Sequence, residues 1–282
     1  MLDITSIMKK IDALKPIPQV AHKIMSIVED PESSLPDLSK VIGYDSAVTA
    51  NLLKIANSAY FGRPGKFDSI HQAIVYFGMD HVVDLVLLAS AADNLKHEQT
   101  GYDLQKGDLW RYSVFSALIA RELAQSKGIG KTHLIFTAAL LKDIGKVILG
   151  QYVGDAFKEI NTMVVEQYLT FREAEKLVIG IDHAELGGMV AKSWNFGSKM
   201  VEIIQNHHQP QKSSLSEIES SIVYLADTIC MMMGVGGGLD GLAYRFQKEV
   251  VHRLEFTEWD LQEIMAISGE KLQHIESLVS MP

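Results

Sequence analysis

Apolar side chains recur at helical spacing along nearly the whole chain, and this pattern most limits the folds open to it. Ile4, Ile7 and Ile11 share one face of a first predicted helix, which Pro16 ends. The same spacing predicts helices to about residue 278, and no segment shows the alternation of a strand. We therefore predict an all-α protein, a multi-helix bundle preceded by an N-terminal helical module.

A polar, glycine-containing segment between residues 95 and 107 is the best candidate for a boundary. We predict an N-terminal helical part at residues 1–100 and a second helical domain at residues 101–282. The second part includes predicted helices at 132–150 and 155–167.

Composition narrows the classes of function. Of the 282 residues, 47% are hydrophobic, which is enough for a large core, and the formal net charge is −9. No basic stripe is present, so we do not expect direct nucleic-acid binding. The single Cys230 rules out a disulfide framework and suits a reducing compartment. The N-terminus does not resemble a signal peptide, and no apolar run reaches the roughly 18 residues of a membrane span, so we expect a cytoplasmic protein.

Two aspartates lie in segments whose other residues are mostly apolar. Asp143 follows Leu140-Leu141-Lys142, and Asp227 lies within Ile222-Val223-Tyr224-Leu225-Ala226-Asp227-Thr228-Ile229-Cys230. Both carboxylates are therefore predicted to be buried. An isolated buried carboxylate is strongly unfavourable unless it is paired with a cation or bound to a metal.

Three histidines are predicted at helix ends. Asp182 and Glu185 have the spacing of a capping box, which places His183 in the first turn of a helix. Ser198 is predicted to cap the next helix, which ends with an adjacent pair of histidines. Imidazole and carboxylate ligands together suit iron, zinc, manganese or nickel. The predicted metal ligands are Asp143, His183, His207, His208 and Asp227.

Each of these residues also has an ordinary structural explanation. A histidine at a helix C-terminus is commonly polar surface matched to the helix dipole. His183 could be exposed, and Asp143 could simply form an ion pair with Lys142 or Lys146. The other histidines show no partner pattern and are interpreted as structural: His22, His71, His81, His97, His133, His252 and His274.

The order of these segments resembles the HD superfamily of metal-dependent phosphohydrolases, and more closely its HDOD branch. In that superfamily a first histidine precedes a His-Asp pair, further histidines and a last aspartate. The similar segments are Trp110-Arg111-Tyr112-Ser113, Leu141-Lys142-Asp143-Ile144-Gly145-Lys146, His183-Ala184-Glu185-Leu186-Gly187, His207-His208 and Leu225-Ala226-Asp227. The first half resembles the HDOD pattern at Leu14-Lys15-Pro16-Ile17-Pro18-Gln19, Leu52-Leu53-Lys54-Ile55-Ala56-Asn57-Ser58 and Ser69-Ile70-His71-Gln72-Ala73-Ile74-Val75-Tyr76-Phe77-Gly78.

The resemblance implies a site that is only half complete. In the superfamily one metal is typically held by the first histidine, the His-Asp pair and the last aspartate. Here Tyr112 and Lys142 stand in the places of both histidines. Every ligand that the superfamily typically uses for the second metal is present: Asp143, His183, His207 and His208. The resemblance thus implies at most one divalent ion.

Lys142 offers a physical replacement for the missing ion. Its ammonium could reach Asp143 or Asp227 and neutralise the carboxylate that a metal would otherwise balance. The sequence assigns a catalytic role to none of these residues.

The resemblance implies a bacterial signal-transduction protein that binds a signalling protein partner or a small ligand without turnover. We predict this non-catalytic function because Tyr112 and Lys142 replace metal ligands. Two alternatives remain open. One is a metal-dependent phosphohydrolase acting on a nucleotide or cyclic dinucleotide, and the other is a structural adaptor without metal.

Overall fold

The computed structural model describes residues 4–58, 61, 66–130, 132–235, 238, 239 and 246–279. Across these residues the chain is helical, with no strand and one isolated β-bridge between Gln99 and Leu104. The helices are α1 (Ile4–Ala13), α2 (Gln19–Glu29), α3 (Leu35–Gly43), α4 (Ser46–Ala56), α5 (Ile70–Phe77), α6 (Met79–Leu95), α7 (Asp108–Ser126), α8 (His133–Leu141), α9 (Ile144–Gln167), α10 (Phe171–Ile179), α11 (His183–Ser193), α12 (Ser198–Gln205), α13 (Glu217–Met232), α14 (Lys248–Arg253) and α15 (Glu258–Val279). The all-α prediction is confirmed.

Side-chain caps fix the starts of two helices that position the later site. The Thr170 hydroxyl accepts a hydrogen bond from the Glu173 backbone N–H, and the Glu173 carboxylate accepts one from the Thr170 backbone N–H. This pair of bonds forms a capping box at the start of α10. The Asp182 carboxylate accepts from the Glu185 backbone N–H at 2.8 Å, as the spacing predicted, so α11 begins at His183.

The chain breaks between α8 and α9 at Lys142 and Asp143. The prediction of one helix at 132–150 and another at 155–167 was wrong, because α8 ends at Leu141 and α9 runs unbroken from Ile144 to Gln167. Every residue of α8 except Leu134 is buried. A segment that is apolar on all sides is predicted to be buried. It has no apolar–polar periodicity, so its sequence does not show where the helix ends.

Glycines bring α9 and α11 into close contact. A Cβ added at Gly145 would overlap the His183 carbonyl oxygen and come within 2.9 Å of the Gly187 backbone nitrogen. Gly187 faces the Lys142 carbonyl oxygen, which a Cβ there would approach to 3.2 Å. This close approach holds the α8–α9 break against the first turn of α11.

The helix α13 lies at the centre of the second half of the chain. All its residues from Ser220 to Cys230 are buried, and it packs on α7 and α8. It therefore carries Asp227 into the core, opposite Tyr112 of α7.

The segment after α6 is well packed. A short 3-10 helix, Thr100–Tyr102, contacts α9, and Tyr102 is fully buried. The helix α6 packs on α2 and α4 and also on α8. The division of the chain near residue 100 stays a prediction. None of the helices in the described residues is long and apolar enough to cross a membrane.

Candidate metal centre

Lys142 bridges the two predicted aspartates inside the core. Its Nζ lies 2.5 Å from Asp143 Oδ2 and 3.1 Å from Asp227 Oδ1. The Lys142 side chain is 0% exposed, so the ammonium meets these carboxylates away from bulk water. The sequence predicted that Lys142 reaches Asp143 or Asp227, and its ammonium contacts both.

Lys146 and Tyr112 complete this cluster. Lys146 Nζ lies 2.8 Å from Asp143 Oδ1, so each oxygen of Asp143 faces an ammonium. The Tyr112 hydroxyl donates to Asp227 Oδ1 at 2.7 Å, and its ring lies 4.3 Å from Lys142 Nζ, within cation–π range. The two residues that stand in the places of histidines therefore contact the aspartates directly.

Contacts within the cluster hold Lys142, Asp143 and Tyr112 in their usual charge states. Burial alone would raise the pKa of Asp143, but Lys142 and Lys146 outweigh it and hold that pKa well below its ordinary value. Burial works to lower the pKa of Lys142, yet Asp143 and Asp227 raise it. Burial and then the Asp227 charge raise the pKa of Tyr112 well above its ordinary value, so the phenol stays protonated and donates.

The three predicted histidines converge beside this cluster. Within the described part of the chain, His183, His207 and His208 form the one group of three or more potential ligand side chains whose ligand atoms all lie within 4.8 Å of one another. His183 Nε2 lies 2.9 Å from His208 Nε2, so one of these nitrogens donates to the other. Asp143 Oδ1 is 3.7 Å from His183 Nε2 and 4.0 Å from His207 Nε2.

Hydrogen bonds outside the group orient two of the rings. His183 Nδ1 donates to Glu175 Oε2 at 2.8 Å, and His207 Nδ1 donates to the Ile204 carbonyl at 2.7 Å. These bonds assign the proton to Nδ1 in both rings and direct Nε2 towards the shared point. Metal-binding histidines in proteins are usually held by such a second contact.

His207 Nε2 gives the clearest indication that this group can bind a metal. It is buried and has no hydrogen-bond partner among the described residues. Burial lowers the pKa of His207 to about 4 in spite of the nearby Asp143, so the nitrogen presents a lone pair at neutral pH. A buried acceptor without a partner costs free energy, which a bound cation would recover.

The donor set therefore fits one divalent metal but not two. The three imidazoles offer free or exchangeable Nε2 atoms, which is the set that zinc and related ions bind. The two carboxylates are already neutralised by Lys142 and Lys146. All five predicted ligands lie in one region, where His208 is half-buried and the other four are buried, and Asp143 and Asp227 lie on its lysine side.

Sequence reasoning missed Glu175. It is 0% exposed and accepts from the His183 ring, from the His183 backbone N–H and from the Tyr102 hydroxyl. It lies in α10 among charged residues, and that pattern indicates a solvated face. Its position eight residues before His183 carries no periodic signal, so only tertiary contact reveals its role.

Comparison of sequences identifies relatives over most of the chain. A sequence model of the HDOD domain matches residues 14–210. A curated relative, an uncharacterized protein of Treponema pallidum, is 26% identical over 203 residues, which cover 70% of this chain and 38% of that protein. The chain thus spans less than half the length of that relative.

Comparison of folds finds similar solved structures. An HDOD domain protein of unknown function from Geobacter sulfurreducens is 22% identical with a TM-score of 0.76, and the match covers 98% of both chains. A candidate phosphohydrolase from Shewanella amazonensis is 21% identical with a TM-score of 0.69, over 97% of this chain and 98% of that one. A candidate signal transduction protein from Marinobacter aquaeolei is 20% identical with a TM-score of 0.77, over 95% of this chain and 60% of that one. These likenesses establish the helical fold.

Proposed function

The chain belongs to the HDOD domain family, and we propose that it is a non-catalytic regulatory member that acts by binding a protein partner or a small ligand. One observation carries the proposal: the Lys142 ammonium lies between Asp143 and Asp227. The resemblance to the HD phosphohydrolases assigns these two carboxylates to the first metal. In this chain a side chain that cannot leave the protein neutralises them.

Electrostatic repulsion from the lysines disfavours a metal ion at the two carboxylates. A divalent cation at the carboxylates would lie against the buried ammonium groups of Lys142 and Lys146. Expelling Lys142 would leave its charge without a partner in the core, and that costs several kcal/mol. Two-metal hydrolysis uses both ions, one to generate hydroxide and one to stabilise the leaving oxygen. The residues of this chain can hold at most one of these two ions.

One divalent ion remains part of the proposal. His183, His207 and His208 would hold it through their Nε2 atoms, with Glu175 and the Ile204 carbonyl fixing two of the rings. When bound, such an ion supplies a positive centre that polarises an oxygen ligand or simply cross-links the helices. Iron, zinc and nickel suit three imidazoles, whereas manganese prefers oxygen ligands, which this group of three histidines does not itself supply.

The same histidines favour a second candidate, a single-metal phosphohydrolase acting on a nucleotide or cyclic dinucleotide. Three histidines with one coordination position left open form an arrangement that catalytic zinc uses to activate water. The unpartnered His207 Nε2 supports metal binding in this candidate as well.

Elemental analysis joined to a phosphodiesterase assay separates the two candidates. The protein is purified without added metal, and its metal content and its turnover of bis(p-nitrophenyl) phosphate are measured. We expect no more than one ion per chain and no metal-dependent turnover. Turnover that His183→Ala abolishes and that the exposed control His71→Ala retains would establish the hydrolase instead.

A further inference from the structure

A cleft of about 410 Å³ lies where α2 meets α8 and α12. Its wall includes His22 and Glu29 of α2, His133 of α8, and Ser198 and Lys199 of α12. None of the described residues that line it belongs to the three-histidine group. Sequence reasoning treated His22 and His133 as structural, and neither was placed near the other.

Two helices begin at this cleft without a side-chain cap. The N-cap residue of α8 is Thr132, whose side chain accepts no helix N–H among the described residues, and that of α12 is Gly197, which has no side chain to cap with. The prediction that Ser198 caps α12 was wrong, because Ser198 is already the first helical residue. The first residues of both helices line the cleft, so the positive ends of two helix dipoles lie beside one cavity, which favours a negative ligand.

His133 gives an independent sign that a ligand belongs here. Its side chain is 4% exposed, and neither ring nitrogen has a hydrogen-bond partner among the described residues. The nearest carboxylate oxygens are Glu29 Oε1 at 3.7 Å and Asp80 Oδ1 at 4.0 Å, both beyond hydrogen-bond length. A buried imidazole in this state loses hydration without compensation, and a ligand that accepts its N–H would supply the missing bond.

We propose that this cleft binds a small tetrahedral oxyanion, the phosphate group of a phosphorylated ligand. Lys199 contributes the positive charge, the first N–H groups of α8 and α12 contribute donors, and His133 donates from the buried side. The formal net charge of −9 repels anions from the molecule as a whole, so saturable phosphate binding requires a local site of this kind.

Glu29 is the one acidic wall residue of the cleft. Its carboxylate would repel a bound phosphate, although its side chain is 65% exposed and solvent screens part of this repulsion. Its removal should therefore strengthen phosphate binding, whereas removal of Lys199 should weaken it. A general effect of surface charge would not single out these two positions.

The cleft also lies where early and late parts of the chain meet. The His22 ring of α2 packs against Phe196, in the connection between α11 and α12, with centroids 5.0 Å apart. A phosphate held there would touch α2 and the start of α12, the helix that leads into His207. Occupancy of the cleft would thus tie the N-terminal helices to the histidine-bearing ones.

The test is a phosphate titration of the full chain with ¹⁵N-labelled histidine, followed by NMR at constant ionic strength against chloride. We expect a saturable shift of the His133 signal. Lys199→Ala should raise the dissociation constant for phosphate about tenfold, because one charge-assisted hydrogen bond is lost. Glu29→Gln should lower this constant. Lys192→Ala, which removes an exposed lysine outside the cleft, should leave it unchanged.

Several results would overturn the proposal. A His133 signal that does not saturate shows no site, and a shift confined to His183, His207 and His208 places the phosphate at the candidate metal centre. An equal loss of affinity in Lys192→Ala shows only diffuse electrostatics. Saturation by acetate without saturation by phosphate would make the cleft a carboxylate site.

Discussion

At the scale of single residues, the centre of this protein has a buried ammonium between two carboxylates, where the resemblance to the HD phosphohydrolases implies a metal. The Lys142 ammonium contacts both aspartates, and Tyr112 contacts one of them. A buried ion pair of this kind adds little net stability compared with an apolar core. Loss of one partner is costly, because it leaves an opposite charge buried and uncompensated.

Replacement of Lys142 by methionine tests this directly. We expect Lys142→Met to lower the free energy of unfolding by about 3–5 kcal/mol, since Asp143 and Asp227 lose their shared cation. Chemical denaturation monitored by circular dichroism measures the loss. The exposed Lys192→Met should stay within about 0.5 kcal/mol of the natural protein. Unchanged or increased stability in Lys142→Met would show that the lysine does not replace an ion.

Asp84, a buried acid outside the candidate metal centre, predicts a dependence of stability on pH. Burial raises the pKa of Asp84 to about 7, although Arg121 lies 3.0 Å away and works to lower it. The folded protein therefore binds a proton that the unfolded chain has already released, so this stabilising contribution is full below about pH 4 and is lost as pH rises through 7.

The variant Asp84→Asn cannot titrate and isolates this contribution. Between about pH 5 and pH 7, we expect the stability of the natural protein to fall relative to Asp84→Asn by about 2 kcal/mol. Denaturant unfolding of both proteins across this range measures the difference. Parallel pH curves would show that Asp84 has the same pKa folded and unfolded.

At the scale of helices, the candidate metal centre depends on a close crossing of α9 and α11. Backbone contact at Gly145 brings Asp143, just before α9, beside His183, the first residue of α11. The break between α8 and α9 turns Lys142 and Asp143 into the core together. Neither feature depends on the chemistry of the side chains that they position.

Gly145→Ala should therefore damage the centre without changing any ligand. Its Cβ would meet the backbone of His183 and Gly187, which cannot give way as a flexible side chain could. We expect a loss of about 1–3 kcal/mol in stability and a lower affinity for metal. Thermal denaturation and metal titration measure both. Gly43→Ala is the control, because a Cβ there meets nothing within 4 Å; identical behaviour of the two variants would contradict this account.

Helix order and type were predictable because apolar periodicity is local. The starting residue of α11 was predictable too, because a capping side chain lies three residues from the N–H it accepts. The break after Leu141 was not, since α8 is apolar on nearly all its faces. Ser198 was misassigned because a glycine N-cap leaves no chemical mark in the sequence.

The residues of the candidate site were predictable only where their segments resemble the motifs of the HD superfamily. Asp143, Asp227 and the later histidines were expected together, and they lie together. Glu175 and the cleft at His133 depend on contacts between residues far apart in sequence, which a single sequence does not encode in any local pattern.

At the scale of the whole molecule, the chain combines an HDOD fold with a centre that is divided by charge. On one side Lys142 lies between the two aspartates and Lys146 contacts Asp143, and on the other side three histidines converge. A separate cleft lies between α2 and the histidine-bearing part. This layout is the basis of the proposal that the protein binds a partner or a small ligand and does not carry out two-metal hydrolysis.

Metal stoichiometry of the natural protein, compared with the double variant Tyr112→His/Lys142→His, tests this account most directly. Both proteins are loaded with Mn²⁺ or Zn²⁺, freed of excess ion, and measured by inductively coupled plasma mass spectrometry. The natural protein should hold no more than one ion per chain. The variant, with two imidazoles in place of the phenol and the ammonium, should hold one more. Two ions in the natural protein would contradict the claim that Lys142 stands in place of a metal.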